Sequence, residues 1–149
     1  MASFLRKYFS RHKKYGSKDR KQITHLCYCY FRLGKALMNM PISQRIVTAL
    51  FLCSSTPDLL LDTLKPEWSD KVLLPVEEKW SIAEGKEMMS NIFPWGELLS
   101  AGLDHLQFCK SLLIQPDLFL RVRPEKAEQV QLKLQRAGVI FSKPSETCI

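Results

Sequence analysis

The sequence lacks the features that would place it in a specialised structural class. Its longest apolar stretches, at 46–53 and 59–64, fall well short of the roughly 20 residues needed to cross a bilayer. Only 6 Gly and 8 Pro occur among 149 residues, too few for a collagen-like or low-complexity chain. The basic N-terminus is not followed by an apolar segment and a small-residue cleavage site, so we predict no secretory signal. A 46% hydrophobic and 25% charged composition instead indicates a globular domain of ordinary size.

The motifs of common enzyme classes are also missing. The sequence contains no Gly-rich phosphate loop, no His-Glu-x-x-His and no Gly-x-Ser-x-Gly. Its three histidines stand in no motif with a nucleophile or a carboxylate: His12, His25 and His105. We therefore assign no catalytic residue and expect a binding module rather than a catalyst.

The cysteines are few and scattered. Their odd number, five, favours a reducing, cytoplasmic setting. Cys27 and Cys29 have no second Cys or His pair at the spacing of a metal site, and residues two apart on a helix face different ways. The sequence therefore predicts core thiols and no metal ligands.

Acidic residues are nearly absent from the first 35 positions. This segment contains ten of the 22 Lys and Arg residues but only one of the 15 acids, Asp19, for a net charge of +9. The remaining residues carry 12 basic and 14 acidic side chains, a net charge of −2. A basic region on a folded domain attracts a polyanion, either nucleic acid or an anionic membrane, although it can also be a solubilising face.

Apolar periodicity predicts a mainly helical fold over most of the chain. A basic amphipathic helix over 2–14 is expected to end at Gly16, and Ser17 is the expected N-cap of a second helix that runs to the residues before Pro41. A third, nearly all-apolar helix follows Ser43, and a fourth begins at Thr56-Pro57. Short helical turns and loops are expected over 65–91, and helical periodicity returns over 104–113.

The pattern changes after residue 115. The segment 118–123 combines β-formers with alternating apolar and basic residues, which predicts a strand. A helix opened by Pro124 and closed by Gly138 should follow, and then a second strand at 139–141. We therefore predict a helical domain at 1–114 and an incomplete strand–helix–strand segment at 115–149.

Two segments together resemble a known family. The run from Gly16 to Arg20, with the helix that continues through 26–32, resembles the N-terminal NusB-like helical domain of the Sun/Fmu (RsmB-like) RNA cytosine-5 methyltransferases. The run at 116–123, with the helix that ends at 134–139, resembles the short α/β segment that links this domain to the catalytic domain in those enzymes.

The resemblance implies that the chain is the RNA-binding part of a ribosomal RNA methyltransferase. In the complete enzyme, S-adenosylmethionine would supply the methyl group, in a catalytic domain that this chain does not include. The dipeptide Thr147-Cys148 matches the family's nucleophile motif but not its context, so no catalytic role is assigned to it. The expected RNA contacts, mainly to phosphates, are basic side chains: Lys13, Lys14, Lys18, Arg20, Lys21, Arg32, Arg121 and Arg123.

Other functions remain open from the residues alone. The basic helix could meet an acidic protein, as in a stand-alone NusB-like antitermination or protein-interaction module. The first two helices could be mistaken for a helix-turn-helix, but the second soon becomes wide and apolar, which suits a bundle core better than a DNA probe. Binding of residues 4–14 to a membrane surface is the last alternative.

Overall fold

The computed structural model describes residues 1–84, 88–116, 118–145 and 148–149. Within these ranges the chain is mainly helical, as the periodicity predicts. It divides into two compact units, 1–115 and 116–149, and each is described by itself.

The first unit is built from helices and short 3₁₀ turns. The α-helices are α1 (Ala2–Arg11), α2 (Ser17–Arg32), α3 (Ile42–Cys53), α4 (Leu59–Leu64), α5 (Val76–Glu84) and α6 (His105–Leu113). Turns of 3₁₀ helix lie at Pro66–Lys71, Met89–Ile92 and Gly96–Leu98. The segment at 65–91, predicted as short helical turns and loops, contains two 3₁₀ turns and also a regular helix of nine residues, α5.

Helix α3 lies at the centre of this unit. It packs against α2, α4 and α5, and Ala49, Leu50, Phe51 and Leu52 are all buried. Burial on every side explains why α3 is apolar nearly all round, as expected for a central helix. In the described part of the chain, neither α3 nor any other helix is long and apolar enough to span a membrane.

Helix α2 ends eight residues earlier than predicted. It stops at Arg32, and residues 33–39 form successive turns in which Gly34 (φ 50°) and Leu37 (φ 56°) adopt left-handed backbone conformations. The Arg45 side chain donates hydrogen bonds to the carbonyls of Gly34 (2.8 Å) and Ala36 (3.0 Å). These carbonyls are satisfied by a distant side chain, which removes the need to continue the helix.

Three predicted helix starts are shifted by a residue or two. Helix α3 begins at Ile42, with Pro41 and not Ser43 as its N-cap. Gly16, rather than Ser17, is the N-cap of α2, and its N–H donates to the Asp19 carboxylate over 2.9 Å. Asp58 caps α4 by accepting from the N–H groups of Leu60 and Leu61, so Pro57 precedes the helix instead of opening it. At α2 and at α4 a carboxylate accepts backbone N–H groups at the helix start, which fixes where the helix begins.

The strands predicted for the second unit are wrong, because the described residues of 116–149 contain no strand. The segment after 117 pairs with the C-terminus instead of with 139–141: Leu120 and Ile149 exchange both backbone hydrogen bonds, at 2.7 and 3.0 Å. An isolated bridge joins Arg121 to Cys148. Cys148 also forms an isolated bridge with Ser145, and such isolated bridges do not build a sheet.

The predicted helix of the second unit is present. A 3₁₀ turn at Pro124–Lys126 leads into α7 (Ala127–Arg136), and Gly138 follows with a left-handed φ of 67°. Val139 donates its N–H to the Leu134 carbonyl over 3.0 Å, which closes the last turn.

Candidate nucleic-acid interface

An open groove runs along one face of α2 in the first unit. Its volume is about 570 Å³. Most of its lining comes from α2 residues spaced three or four apart, which therefore share one helix face. The lining residues are Phe9, Arg20, Lys21, Thr24, His25, Tyr28, Arg32 and Gln115. The groove thus combines cations with aromatic rings, and we call it the α2 groove.

Arg20 is held at the N-terminal end of the α2 groove. Its Nε donates to the Tyr15 carbonyl over 2.8 Å, and its guanidinium lies 5.8 Å from the centre of the Phe9 ring. Phe9 is itself buried on α1, so it provides a fixed surface for the guanidinium. The bend between α1 and α2 therefore determines where this cation stands.

Arg32 stands at the other end of the same groove. Twelve residues of helix separate it from Arg20, a distance of about 18 Å along the axis. It is half-buried and donates from a terminal guanidinium nitrogen to the side-chain oxygen of Gln115. Lys21 is exposed between the two arginines. Three of the eight predicted RNA contacts thus line one groove.

The other predicted contacts lie outside the groove lining. Lys13, Lys14 and Lys18 are exposed in and just after the bend that joins α1 to α2, and the Lys14 amine lies 5.2 Å from the centre of the Tyr15 ring. Arg121 and Arg123 are exposed in the second unit. The predicted contacts therefore divide into a groove set, a bend set and a separate pair.

An aromatic surface adjoins the groove and was not predicted. A second open cavity, of about 580 Å³, shares Tyr28 and Arg32 with the α2 groove. Phe31 and Trp95 also line it, and they are 63% and 42% exposed, unusually high fractions for large rings. The sequence signal for it was the aromatic pair Tyr28 and Phe31, which lies off the apolar stripe of α2. We call this cavity the aromatic surface.

The turn at 93–96 has two different aromatic roles. Large rings in a turn are suited to anchor it on a hydrophobic core. Phe93 does so, with edge-on ring contacts to Phe108 (5.2 Å between centroids) and His105 (6.5 Å). Trp95 contacts the Phe93 ring but remains exposed on the aromatic surface.

Asp19, the acid nearest the basic bend in sequence, already accepts the Gly16 N–H at the start of α2. In the described residues, no group of three or more His, Cys, Asp or Glu side chains is placed to hold a metal ion. These residues also form no β-sheet.

Comparisons with protein-family models, curated proteins and solved structures found no match to this chain. The methyltransferase resemblance consequently stays a prediction that depends on the two sequence segments described above.

Proposed function

We propose that this chain is an RNA-binding module that positions ribosomal RNA for an S-adenosylmethionine-dependent cytosine-5 methyltransferase domain. The observation that carries the proposal is the α2 groove, where Arg20, Lys21 and Arg32 are gathered on one face beside aromatic rings. The family resemblance supplies the type of enzyme, and the net charge of +9 on residues 1–35 supplies the attraction to a polyanion.

The neighbouring rings favour RNA with unpaired bases over duplex DNA. Exposed aromatic side chains stack on unpaired bases, and RNA is recognised mainly in loops, bulges and single strands. Tyr28, Phe31 and Trp95 are exposed beside the groove cations, so a backbone bound by the cations would bring its bases near the rings. A base pair inside a duplex cannot present its face in this way.

Binding to three nucleic acids tests the proposal. Fluorescence anisotropy would compare a ribosomal RNA fragment containing a loop, a tRNA and a DNA duplex at equal salt. We expect the ribosomal fragment to bind best. The triple variant Lys18→Gln, Arg20→Gln, Lys21→Gln should bind it at least about tenfold more weakly, because three phosphate contacts are lost.

The matched control removes the same charge elsewhere. Lys126, Lys133 and Arg136 are exposed in the second unit and are not among the predicted contacts. Their replacement by Gln should leave the affinity within about twofold if the α2 groove and the bend hold the RNA. Equal weakening by both triple variants would mean that only total charge matters, and the proposed site would be rejected.

A protein partner is the second candidate, because apolar side chains are also exposed. In the second unit Leu118, Phe119 and Ile140 are 80%, 67% and 99% exposed, and a cavity of about 510 Å³ is lined by apolar residues of this unit. Exposed apolar patches often mark protein interaction sites. Weak binding to all three nucleic acids would favour this function.

A further inference from the structure

The two open cavities beside α2 meet at one pair of side chains. Tyr28 and Arg32 line both the α2 groove and the aromatic surface. Because they are four positions apart on α2, they are neighbours on one helix face. The groove adds the cations Arg20 and Lys21, and the aromatic surface adds exposed rings. A ring and a guanidinium therefore stand side by side where a path for phosphates joins a surface for bases.

The guanidinium of Arg32 keeps hydrogen-bonding capacity for a ligand. One of its terminal nitrogens donates to Oε1 of Gln115, which is exposed just beyond the end of α6, over 2.5 Å. A guanidinium carries five N–H groups in a planar fork. A single hydrogen bond from a terminal nitrogen cannot occupy both of the edges that present two parallel N–H groups. The bond to Gln115 thus positions the fork and leaves one such edge for a planar ligand.

The rings beside this fork are accessible. Tyr28 is 41% exposed, and Phe31, three positions further along α2, also lines the aromatic surface. Lys35 lines it too and is exposed. The cavity volume of about 580 Å³ lies within the range of about 300–1,000 Å³ found for pockets that hold small ligands. The junction therefore offers a stacking surface, a two-donor fork and a cation within one cavity.

Building on the RNA-binding function proposed above, we propose that Arg32 recognises an unpaired guanine that stacks on Tyr28. Guanine presents two adjacent acceptors, O6 and N7, which match two parallel N–H groups of an arginine. Adenine presents the N6 donor in place of O6, so it cannot pair with both N–H groups. A carboxylate or a phosphate also matches an arginine fork, but neither would use the exposed rings beside it.

The guanine belongs to a strand rather than to a free nucleotide, because cations lie on both sides of the junction. Lys21 lies in the α2 groove, and Lys35 lies in the aromatic surface. A strand that places one base on Tyr28 can bring its neighbouring phosphates to both, and each phosphate contact strengthens binding through counterion release. A mononucleotide has no phosphates for the rest of the groove.

Fluorescence anisotropy of the full chain with labelled oligouridines tests the proposal. Four probes carry one central guanosine, inosine, 7-deazaguanosine or adenosine. Guanosine and inosine share O6 and N7, so we expect them to bind alike and about tenfold more tightly than adenosine. The 7-deazaguanosine probe lacks N7 and should bind within about threefold of adenosine, because only one of the two hydrogen bonds can form.

Three variants separate base recognition from stacking. Arg32→Lys keeps the charge but has no two-donor fork, so the preference for guanosine over adenosine should fall below about twofold. Tyr28→Leu should weaken both probes about tenfold and keep the preference, since stacking accepts every base. Arg20→Lys, at the other end of the α2 groove, is the matched control. It should change the affinity for both probes equally and keep the preference, because phosphate contacts carry no sequence information.

The wild-type base series decides the matter, so the test does not depend on the folding of the variants. Equal affinity for the guanosine and adenosine probes would reject the guanine site, while binding of the ribosomal fragment would leave the RNA-binding function intact. Lack of binding to every RNA would overturn both proposals.

Competition with free guanosine monophosphate distinguishes a strand from a nucleotide. The mononucleotide should displace the guanosine probe only at a concentration at least about a hundredfold above that of unlabelled probe, because it lacks the neighbouring phosphates. Displacement at equal concentrations would assign the site to a free nucleotide and reject the RNA guanine.

Discussion

Two cations of the first unit, Arg45 and Lys79, are buried, and backbone carbonyls accept hydrogen bonds from both. Arg45 is 3% exposed, bridges the carbonyls of Gly34 and Ala36, and lies 4.4 Å from the centre of the Tyr30 ring. Lys79 is 5% exposed and caps the carbonyl end of α3. Carbonyl dipoles at helix ends and turns stabilise cations, so a buried charge here fixes backbone geometry.

The role of Arg45 is tested by Arg45→Met. The substitution keeps an unbranched side chain but leaves two carbonyls without their donor, and it removes the guanidinium from the Tyr30 ring. We expect a loss of about 3 kcal/mol in the free energy of unfolding, measured by urea denaturation. Arg11→Met, an exposed change at the end of α1, is the control and should stay within about 0.5 kcal/mol. Equal losses in the two variants would contradict the bridging role.

At the scale of the element, the end of α2 depends on a close backbone contact. Gly34 has a φ of 50° and lies against the 3₁₀ turn at 89–92, where the Lys35 N–H donates to the Ile92 carbonyl over 3.0 Å. A Cβ atom on Gly34 would lie 2.0 Å from the Ile92 carbonyl oxygen, much closer than any real contact. Only glycine fits this position, because there is no room for a Cβ atom and the backbone is left-handed.

Gly34→Ala should therefore destabilise the protein more than Gly102→Ala does. We expect a loss of at least about 3 kcal/mol in the free energy of unfolding, because the clash with backbone adds to the left-handed strain. Gly102→Ala is the matched control, since its φ is 90° but an added Cβ meets nothing within 4 Å. Gly102→Ala should lower the free energy of unfolding by about 1 kcal/mol. If chemical denaturation gives the two variants the same stability, the close packing of Gly34 against Ile92 is wrong.

The elements that local signals specify were predicted well. Helix α6 starts after Asp104, whose carboxylate accepts the Gln107 N–H, and α3 is recognisable because apolar residues surround it. The end of α2 could not be predicted in this way, because Arg45 and Ile92 determine it from 11 and 58 positions after Gly34. The strand at 118–123 failed for a similar reason: alternation identifies an extended segment but not whether a partner lies beside it.

In the candidate site, too, some residues could be predicted from local sequence signals and others depend on distant contacts. Charge alone identified Arg20, Lys21 and Arg32, and the structure brings them to one groove. Phe9 and Gln115 were missed because they reach the groove only through the packing of α1 and the end of α6, contacts that no local pattern encodes.

At the scale of the molecule, the separation of charge predicts how binding responds to salt. Residues 1–35 carry +9 and the remainder −2, so the attraction to a polyanion comes from one part of the chain. Six predicted contacts lie there: Lys13, Lys14, Lys18, Arg20, Lys21 and Arg32. Each neutralised phosphate of a single strand adds about −0.7 to the slope of log K against log salt, so we expect a slope near −4.

This slope makes the RNA affinity fall by roughly 300-fold between 50 and 200 mM salt. Replacing Lys18, Arg20 and Lys21 by Gln should reduce the slope to about −2, because three of the six contacts release no counterions. The second-unit triple at Lys126, Lys133 and Arg136 should keep the full slope. A salt titration by fluorescence anisotropy measures all three proteins. A wild-type slope near zero would show that the basic N-terminal region is a solvated face, since phosphate contacts cannot form without releasing counterions.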